Sequence, residues 1–289
     1  MQTRFSDLKK KPELFEIFML LRSRTLSPTP EMSLPFINDA ASFAEICPVK
    51  YGVCQGITNL DRKLAMLIYY DPKNVSNQPL PPVDNPEARF TYFESVIAQV
   101  MRGKPMVVAG YGNLLSFAQD PVGRRVLIEA AMKLWASENA TLPSITQVLQ
   151  AIKHTVSKKE VSELHTRLSE RIALNYSPII YLARSPQEAK QKWIHVLQVI
   201  SVTAKDPKNG SYRIQVKDPN FYAVQDRIRF IEMDGKGKAT YGNAPLTEID
   251  IAPGDDLEIA RFLVNTIQFC RDNPIFCTIP GTPPSLMKN

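Results

Sequence analysis

YGVCQGITNLDRKLAMLIYYD, residues 51–71, joins a tight turn to a long helical pattern, around which we expect the rest of the chain to fold. Its apolar residues recur three and four positions apart, which lines one face of a helix: Ile57, Leu60, Leu64, Leu67 and Ile68. Polar residues fill positions 59 and 61–63 on the other side, so we predict a half-buried helix. Pro72 disfavours helical backbone in the residue before it, and we expect the helix to end near Asp71.

Cys54 lies where the turn gives way to this predicted helix. The first amides of a helix lack intrahelical acceptors and the helix dipole is positive there, so this position favours an anion such as a thiolate. The pattern is typical of a thiol nucleophile. Two other interpretations stay open: a small buried apolar residue, or one half of a disulfide with Cys47.

Composition limits the possible functions. The chain has 289 residues, 44% of them hydrophobic and 22% charged, which is ordinary for a soluble globular protein. Its net charge is +6 and its sequence pI is near 9.0, but the basic residues come in small groups without interleaved aromatic residues. We therefore predict no nucleic-acid partner. No run approaches the ~20 apolar residues of a membrane helix, so we also predict no integral membrane segment.

The order of the predicted elements indicates an α+β fold. Helical patterns dominate residues 1–175, whereas strand patterns occupy residues 177–183, 194–203, 212–217 and 225–233. A last helix is predicted over residues 257–270. Segregated helices and strands are typical of α+β proteins. We predict one domain over residues 1–289, with a helical lobe (about 1–175) and a β-rich lobe (about 176–289) around a cleft.

Two polar residues are expected side by side at one end of the predicted sheet. His195 begins a strand, and Asp218 follows the strand that pairs with it through the turn at residues 205–210. In such a hairpin the start of one strand lies beside the end of the next. A carboxylate beside an imidazole fixes the tautomer, which leaves the other ring nitrogen to take a proton from a thiol.

At this point the chain resembles the papain-like cysteine peptidases, including bacterial branches that process or trim peptides. Four short segments carry the resemblance: Gly52-Val53-Cys54-Gln55, Ser177-Pro178-Ile179-Ile180, His195-Val196 with Val199, and residues 214–220 (IQVKDPN). The family order of cysteine, histidine and then asparagine or aspartate is kept. His195 lies 141 residues after Cys54, within the roughly 130–150 residues typical of that family.

The resemblance implies a papain-like fold and a thiol hydrolase that cleaves a peptide or amide bond, with a peptide or protein substrate. Cys54 would attack the carbonyl, His195 would act as base and then acid, and Asp218 would orient His195. It implies no metal and no organic cofactor. The chain departs from the family in having Gln55, not an aromatic residue, after the cysteine, and in lacking a glutamine at residues 47–50. Gln55 is therefore our candidate oxyanion donor, together with the Cys54 amide.

Alternatives to a peptidase stay open. A catalytically inactive papain-like scaffold could bind a protein or cell-envelope partner, and transglutaminase-like enzymes use the same order of residues for acyl transfer. Cys270 and Cys277 flank an Asp-Asn-Pro turn, which predicts a disulfide and an oxidising compartment. The compartment is otherwise open, with export to the periplasm or the cell exterior as one alternative if a signal peptide is missing from the sequence. The oligomeric state is also open.

Overall fold

The structure is a computed structural model that describes residues 33–35, 53–73, 80–141, 158–173, 177–184, 195–221, 228–251 and 255–277. Within these ranges it contains six α-helices: α1 (Cys54–Leu67), α2 (Pro86–Met101), α3 (Leu114–Gln119), α4 (Pro121–Thr141), α5 (Lys158–Ala173) and α6 (Asp255–Asp272). Its strands are β1 (Ile68–Asp71), β2 (Met106–Ala109), β3 (Ile179–Ala183), β4 (His195–Val202), β5 (Tyr212–Lys217), β6 (Ile228–Met233), β7 (Ala239–Tyr241), β8 (Ala244–Leu246) and β9 (Glu248–Ile251). None of the described helices has the length and apolar character needed to cross a membrane.

The helix α1 begins at Cys54 as predicted but ends earlier than expected. It stops at Leu67, and residues 68–71 form β1, which pairs in parallel with β2 from Ile68 opposite Met106 onward. The prediction of a helix to Asp71 was therefore wrong. The physical reason is local composition, because isoleucine and two tyrosines favour extended backbone when a neighbouring strand can pair with them.

The prediction that α1 is half buried was also wrong, because thirteen of its fourteen residues are buried. The charged residues on its polar side are paired instead of solvated. Arg62 and Lys63 both form ion pairs with Glu258 of α6, and Asp61 pairs with Lys217 of β5. Each pairing offsets the cost of taking charge out of water, so α1 can lie at the centre of the protein.

A helical core surrounds α1. Apolar side chains of α1, α2, α3 and α4 form one cluster, and Phe262 of α6 packs into it. Asp120 caps α4, since its Oδ1 accepts hydrogen bonds from the amides of Val122 (2.9 Å) and Gly123 (3.0 Å). The last helix thus belongs to this core, although the sequence analysis assigned residues 176–289 to the β-rich lobe.

Seven strands form an antiparallel sheet, in the order β8-β7-β6-β5-β4-β3-β9. The two edge strands β8 and β9 are separated in the chain only by Thr247, so the sheet is nearly closed. The strand predicted at 212–217 is confirmed, and the one predicted at 194–203 corresponds to β4. The short strands β7, β8 and β9 were not predicted. Leu164 and Leu168 of α5 pack into the core of this sheet, and the α+β class is confirmed.

The predicted bridge between Cys270 and Cys277 is present as a disulfide with a Cα–Cα separation of 5.5 Å. It joins the last turn of α6 to the residue that follows the short 3₁₀ helix Pro274–Phe276. Both cysteines are buried against Tyr69 of β1. The disulfide therefore closes the chain back onto the end of α6, and both of its cysteines pack against the small parallel sheet.

Candidate active site

The candidate site lies where the N-terminus of α1 meets one end of the β4–β5 hairpin. The register pairs Gln198 with Lys217 and Val199 with Val216. This register brings the start of β4 beside the end of β5, as the hairpin predicted. His195 is the first residue of β4, and Asp218 comes directly after β5.

His195 and Asp218 form a direct hydrogen bond. The distance from His195 Nε2 to Asp218 Oδ1 is 2.9 Å, and the two side chains are 21% and 2% exposed. Burial alone would raise the pKa of the Asp218 carboxyl. The hydrogen bond and charge of His195, with further donors, outweigh burial and hold this pKa below its usual range. Asp218 is therefore an anion at neutral pH.

Asp218 is itself held by two other donors. Tyr241 of β7 donates its hydroxyl hydrogen bond to Asp218 Oδ2, and the backbone amide of Asn220 donates to Oδ1 at 2.8 Å. Burial and then the neighbouring Asp218 charge raise the pKa of Tyr241, so its hydroxyl stays protonated and can donate. The sequence analysis missed Tyr241, because a three-residue strand followed by a turn carries no signal that its side chain reaches Asp218.

The Cys54 thiol interacts with the His195 ring, where its hydrogen bonding and charge help to raise the pKa of the imidazole. Cys54 is 9% exposed and packs with Ile179 and Val196. It carries a thiol and is in no disulfide, and Cys47 lies outside the described residues. The structure therefore brings Cys54, His195 and Asp218 into one chain of contacts.

His195 lies between two acidic groups, which changes its protonation. Burial lowers the pKa of the imidazole, but the hydrogen bonds to Asp218 and Cys54 and the charges of both groups raise it, with a net result of about 9. An imidazolium is thus the dominant form at neutral pH. An imidazolium beside a cysteine is the arrangement that thiol enzymes use to activate a nucleophile.

Gln55 lies at the site but is turned toward β3. Its side chain is buried, and Nε2 donates a hydrogen bond of 3.3 Å to the hydroxyl of Tyr181. An amide nitrogen carries two hydrogens, so this bond engages only one of them. Tyr181, which was not predicted, also packs against the cluster that Cys54 forms with Ile179 and Val196. Gln55 as an oxyanion donor stays a prediction.

Asn220 adds a second polar group beside the imidazole. Its side-chain nitrogen Nδ2 is 3.3 Å from His195 Nε2. Because Nε2–H already donates to Asp218, only the oxygen of that amide can make a favourable contact there. Rotation of the Asn220 side-chain amide by 180° would place its oxygen beside Nε2 and give His195 a second hydrogen-bond acceptor.

Among the residues that the structure describes, no group of three or more histidine, cysteine, aspartate or glutamate side chains is placed to hold a metal ion. Comparisons with protein-family models, characterised proteins and solved structures found no match. The functional argument therefore rests on the geometry of the site.

Proposed function

We propose that this protein is a papain-like thiol hydrolase that cleaves a peptide or amide bond, with Cys54 as nucleophile. The observation that carries the proposal is the Asp218–His195 hydrogen bond, with the same imidazole interacting with a thiol at a helix N-terminus. Nucleophile, base and orienting carboxylate in mutual contact are the signature of this class of catalysis. The helical core and the nearly closed sheet would form the two lobes.

The reaction would proceed in two steps. The Cys54 thiolate attacks the carbonyl carbon to give a tetrahedral oxyanion, and collapse of that intermediate expels the amine as His195 gives it a proton. The product is a thioester between the acyl group and Cys54 Sγ. Neutral His195 then takes a proton from water, which attacks the thioester and releases the carboxylic acid and the Cys54 thiol.

Two features of the chain fit the remaining roles. The first intrahelical hydrogen bond of α1 runs from the Ile57 amide to Val53 O at 3.0 Å. The Cys54 amide precedes it at the positive end of the helix, which suits it to stabilise the oxyanion. Asp218 would keep the His195 ring oriented while its proton moves, since a buried carboxylate stabilises the imidazolium that forms.

A catalytically inactive binding scaffold is the second candidate. The observation that favours it is the small exposure of Cys54, 9% of its surface. A nucleophile must reach the substrate carbonyl, whereas a buried thiol can serve packing alone. An acyl transferase would share the thioester and differ only in accepting an amine instead of water.

Hydrolysis of a mixed library of short peptides by the wild-type protein and Cys54→Ala tests the proposal. Product amines and acids are identified by mass spectrometry. We expect cleavage by wild type and none by Cys54→Ala. No cleavage by wild type under conditions in which Cys54 is labelled rapidly by an alkylating reagent would contradict the hydrolase. Added amines that accept the acyl group in place of water would favour the transferase.

A further inference from the structure

One face of α1 docks along the β4–β5 hairpin through three side chains. Cys54, Thr58 and Asp61 are four and three residues apart, so they share a helix face. Cys54 contacts His195, and Thr58 Oγ1 donates to the carbonyl oxygen of Val196 at 3.2 Å. Asp61 pairs with Lys217 at the other end of this row. The helix and the hairpin are thus joined by polar contacts along the whole face.

The Asp61–Lys217 ion pair is buried at one end of this row of contacts. Asp61 and Lys217 are 4% and 6% exposed. Lys217 is the residue directly before Asp218, and Asp61 lies two turns after Cys54 on the same helix. The pair therefore links the helix that carries the thiol to the strand that carries the carboxylate.

Asp61 uses both of its oxygens in this arrangement. Oδ2 meets the Lys217 ammonium, and Oδ1 accepts a hydrogen bond of 3.1 Å from the backbone amide of Leu34. Two partners on different segments leave the carboxylate little freedom to rotate. The contact with Lys217 is consequently a fixed point between α1 and β5.

We propose that Asp61 and Lys217 are positioning residues, whose buried ion pair sets the register of α1 against the hairpin and so holds Cys54 in contact with His195. This proposal rests on the proposed function, because it assigns the pair a purpose in that reaction. In this role the two residues act through the backbone of α1 and β5, the elements on which they lie.

Physical considerations favour positioning over stability as the use of this pair. A buried ion pair is often no more stabilising than two apolar side chains of similar size. Apolar side chains, however, allow two packed elements to slide, whereas a hydrogen-bonded charge pair does not. A misplacement of ~1 Å can slow a reaction by about 100-fold, so a register device close to the nucleophile has a large effect on rate.

The double variant Asp61→Asn with Lys217→Met separates an effect of the ion pair on the position of Cys54 from an effect on the stability of the fold. The asparagine oxygen can still accept from the Leu34 amide, and methionine keeps much of the length of the lysine stem. Each single variant leaves one buried charge without its partner and should unfold at lower temperature. The double variant should regain a Tm within about 5 °C of wild type. Its Cys54 should nevertheless react with iodoacetamide about tenfold more slowly or worse.

A matched control removes a different buried ion pair. Arg89 and Asp120 pair in the helical core, away from the α1 face that meets the hairpin. The variant Arg89→Met with Asp120→Asn takes away the same charges, and its asparagine can still cap α4. We expect its Cys54 to react at the wild-type rate, which would exclude a general effect of losing a buried pair.

The pKa of the His195 imidazole, measured by NMR, is a second readout that needs no substrate. We expect it to fall in the double variant, because Cys54 is no longer held against the ring, while the hairpin still holds Asp218 beside it. A folded double variant with wild-type alkylation rate and unchanged imidazole pKa would overturn the proposal. If it does not fold, Asp61→Glu decides in the same way, because it keeps the charge pair with Lys217 but lengthens the link between α1 and β5; a smaller slowing is then expected.

The two proposals can fail separately. If wild type cleaves no peptide, but the double variant still shows slower alkylation of Cys54 and a lower pKa of the His195 imidazole, the hydrolase is refuted and the positioning role stands. If wild type cleaves peptides and the folded double variant cleaves them equally fast, the positioning role is refuted and the hydrolase stands.

Discussion

Replacing Asp218 with asparagine should shift the pH range in which Cys54 is most reactive. The change removes the charge that faces His195 Nε2 but keeps the size of the side chain. The amide oxygen can still accept from the imidazole, and the amide nitrogen can donate to the hydroxyl oxygen of Tyr241. The variant therefore isolates the electrostatic effect of Asp218 from its effect on geometry.

The magnitude follows from the pKa of His195. An opposite charge in contact shifts a pKa by about 1–3 units, so removing Asp218 should lower the imidazole pKa from about 9 to about 7. At about pH 8 the protonated fraction of His195 then falls from roughly nine tenths to about one tenth. Alkylation that depends on the imidazolium should be about tenfold slower at that pH.

The assay follows alkylation of Cys54 by iodoacetate, an anion attracted by the imidazolium, over a pH series. Mass spectrometry of the peptide that contains Cys54 gives the rate at each pH. Because the folded-state pKa of His195 is raised, the imidazolium is present at neutral pH and is lost as pH rises through about 9. Wild type should therefore slow above about pH 9, and Asp218→Asn above about pH 7. Neutral iodoacetamide should show a smaller loss in both.

Asp218→Ala is the matched control for geometry. It leaves the buried Tyr241 hydroxyl without its acceptor, at about 1–3 kcal/mol, and it also removes the acceptor of the Asn220 amide, whose residue is exposed. Its free energy of unfolding and its alkylation rate should both fall below those of Asp218→Asn. The reasoning is refuted if Asp218→Asn slows only above about pH 9, as wild type does, since Asp218 would then not set the pKa of His195.

Two further predictions concern the framework of the site. Gly56→Ala should lower the free energy of unfolding by about 1–3 kcal/mol, because its Cβ would overlap the carbonyl oxygen of Ala131. Gly112→Ala is the control, since its Cβ would meet no atom within 4 Å. Equal urea midpoints for the two variants would contradict the packing of α1 on α4. Reducing the Cys270–Cys277 disulfide should cost about 2–3 kcal/mol of unfolding free energy for so short a loop, measured by urea unfolding with and without reductant; two reactive thiols at these positions in protein purified without reductant would contradict the bridge.

The start of α1 and the hairpin could be predicted from the sequence because both depend on local patterns. A period of three to four residues predicts a helix, and alternation with a turn predicts paired strands. The prediction that Asn59 and residues 61–63 lie on a solvated face failed for a different reason. The partners of the charged residues 61–63, Glu258 and Lys217, are more than 150 residues away in the chain, so no local pattern reveals that these charges are paired and buried.

The same distinction applies to the candidate site. The hairpin register predicted that His195 and Asp218 meet, because strand pairing fixes which residues are neighbours. The roles of Tyr241 and Tyr181 depend on how strands β7 and β3 bring side chains into the site, which their short sequences do not encode. The end of α1 at Leu67 depended on β2, a strand that follows only after α2.

The most direct test of the central claim is the rate at which native Cys54 reacts with iodoacetamide near neutral pH, in wild type and in His195→Ala. A free cysteine is only a few per cent thiolate there, so an activated Cys54 should react about tenfold faster or more than a cysteine in a small peptide. His195→Ala should lose that advantage. A wild-type Cys54 that reacts no faster than the peptide cysteine, or equally fast without His195, would contradict an activated thiol.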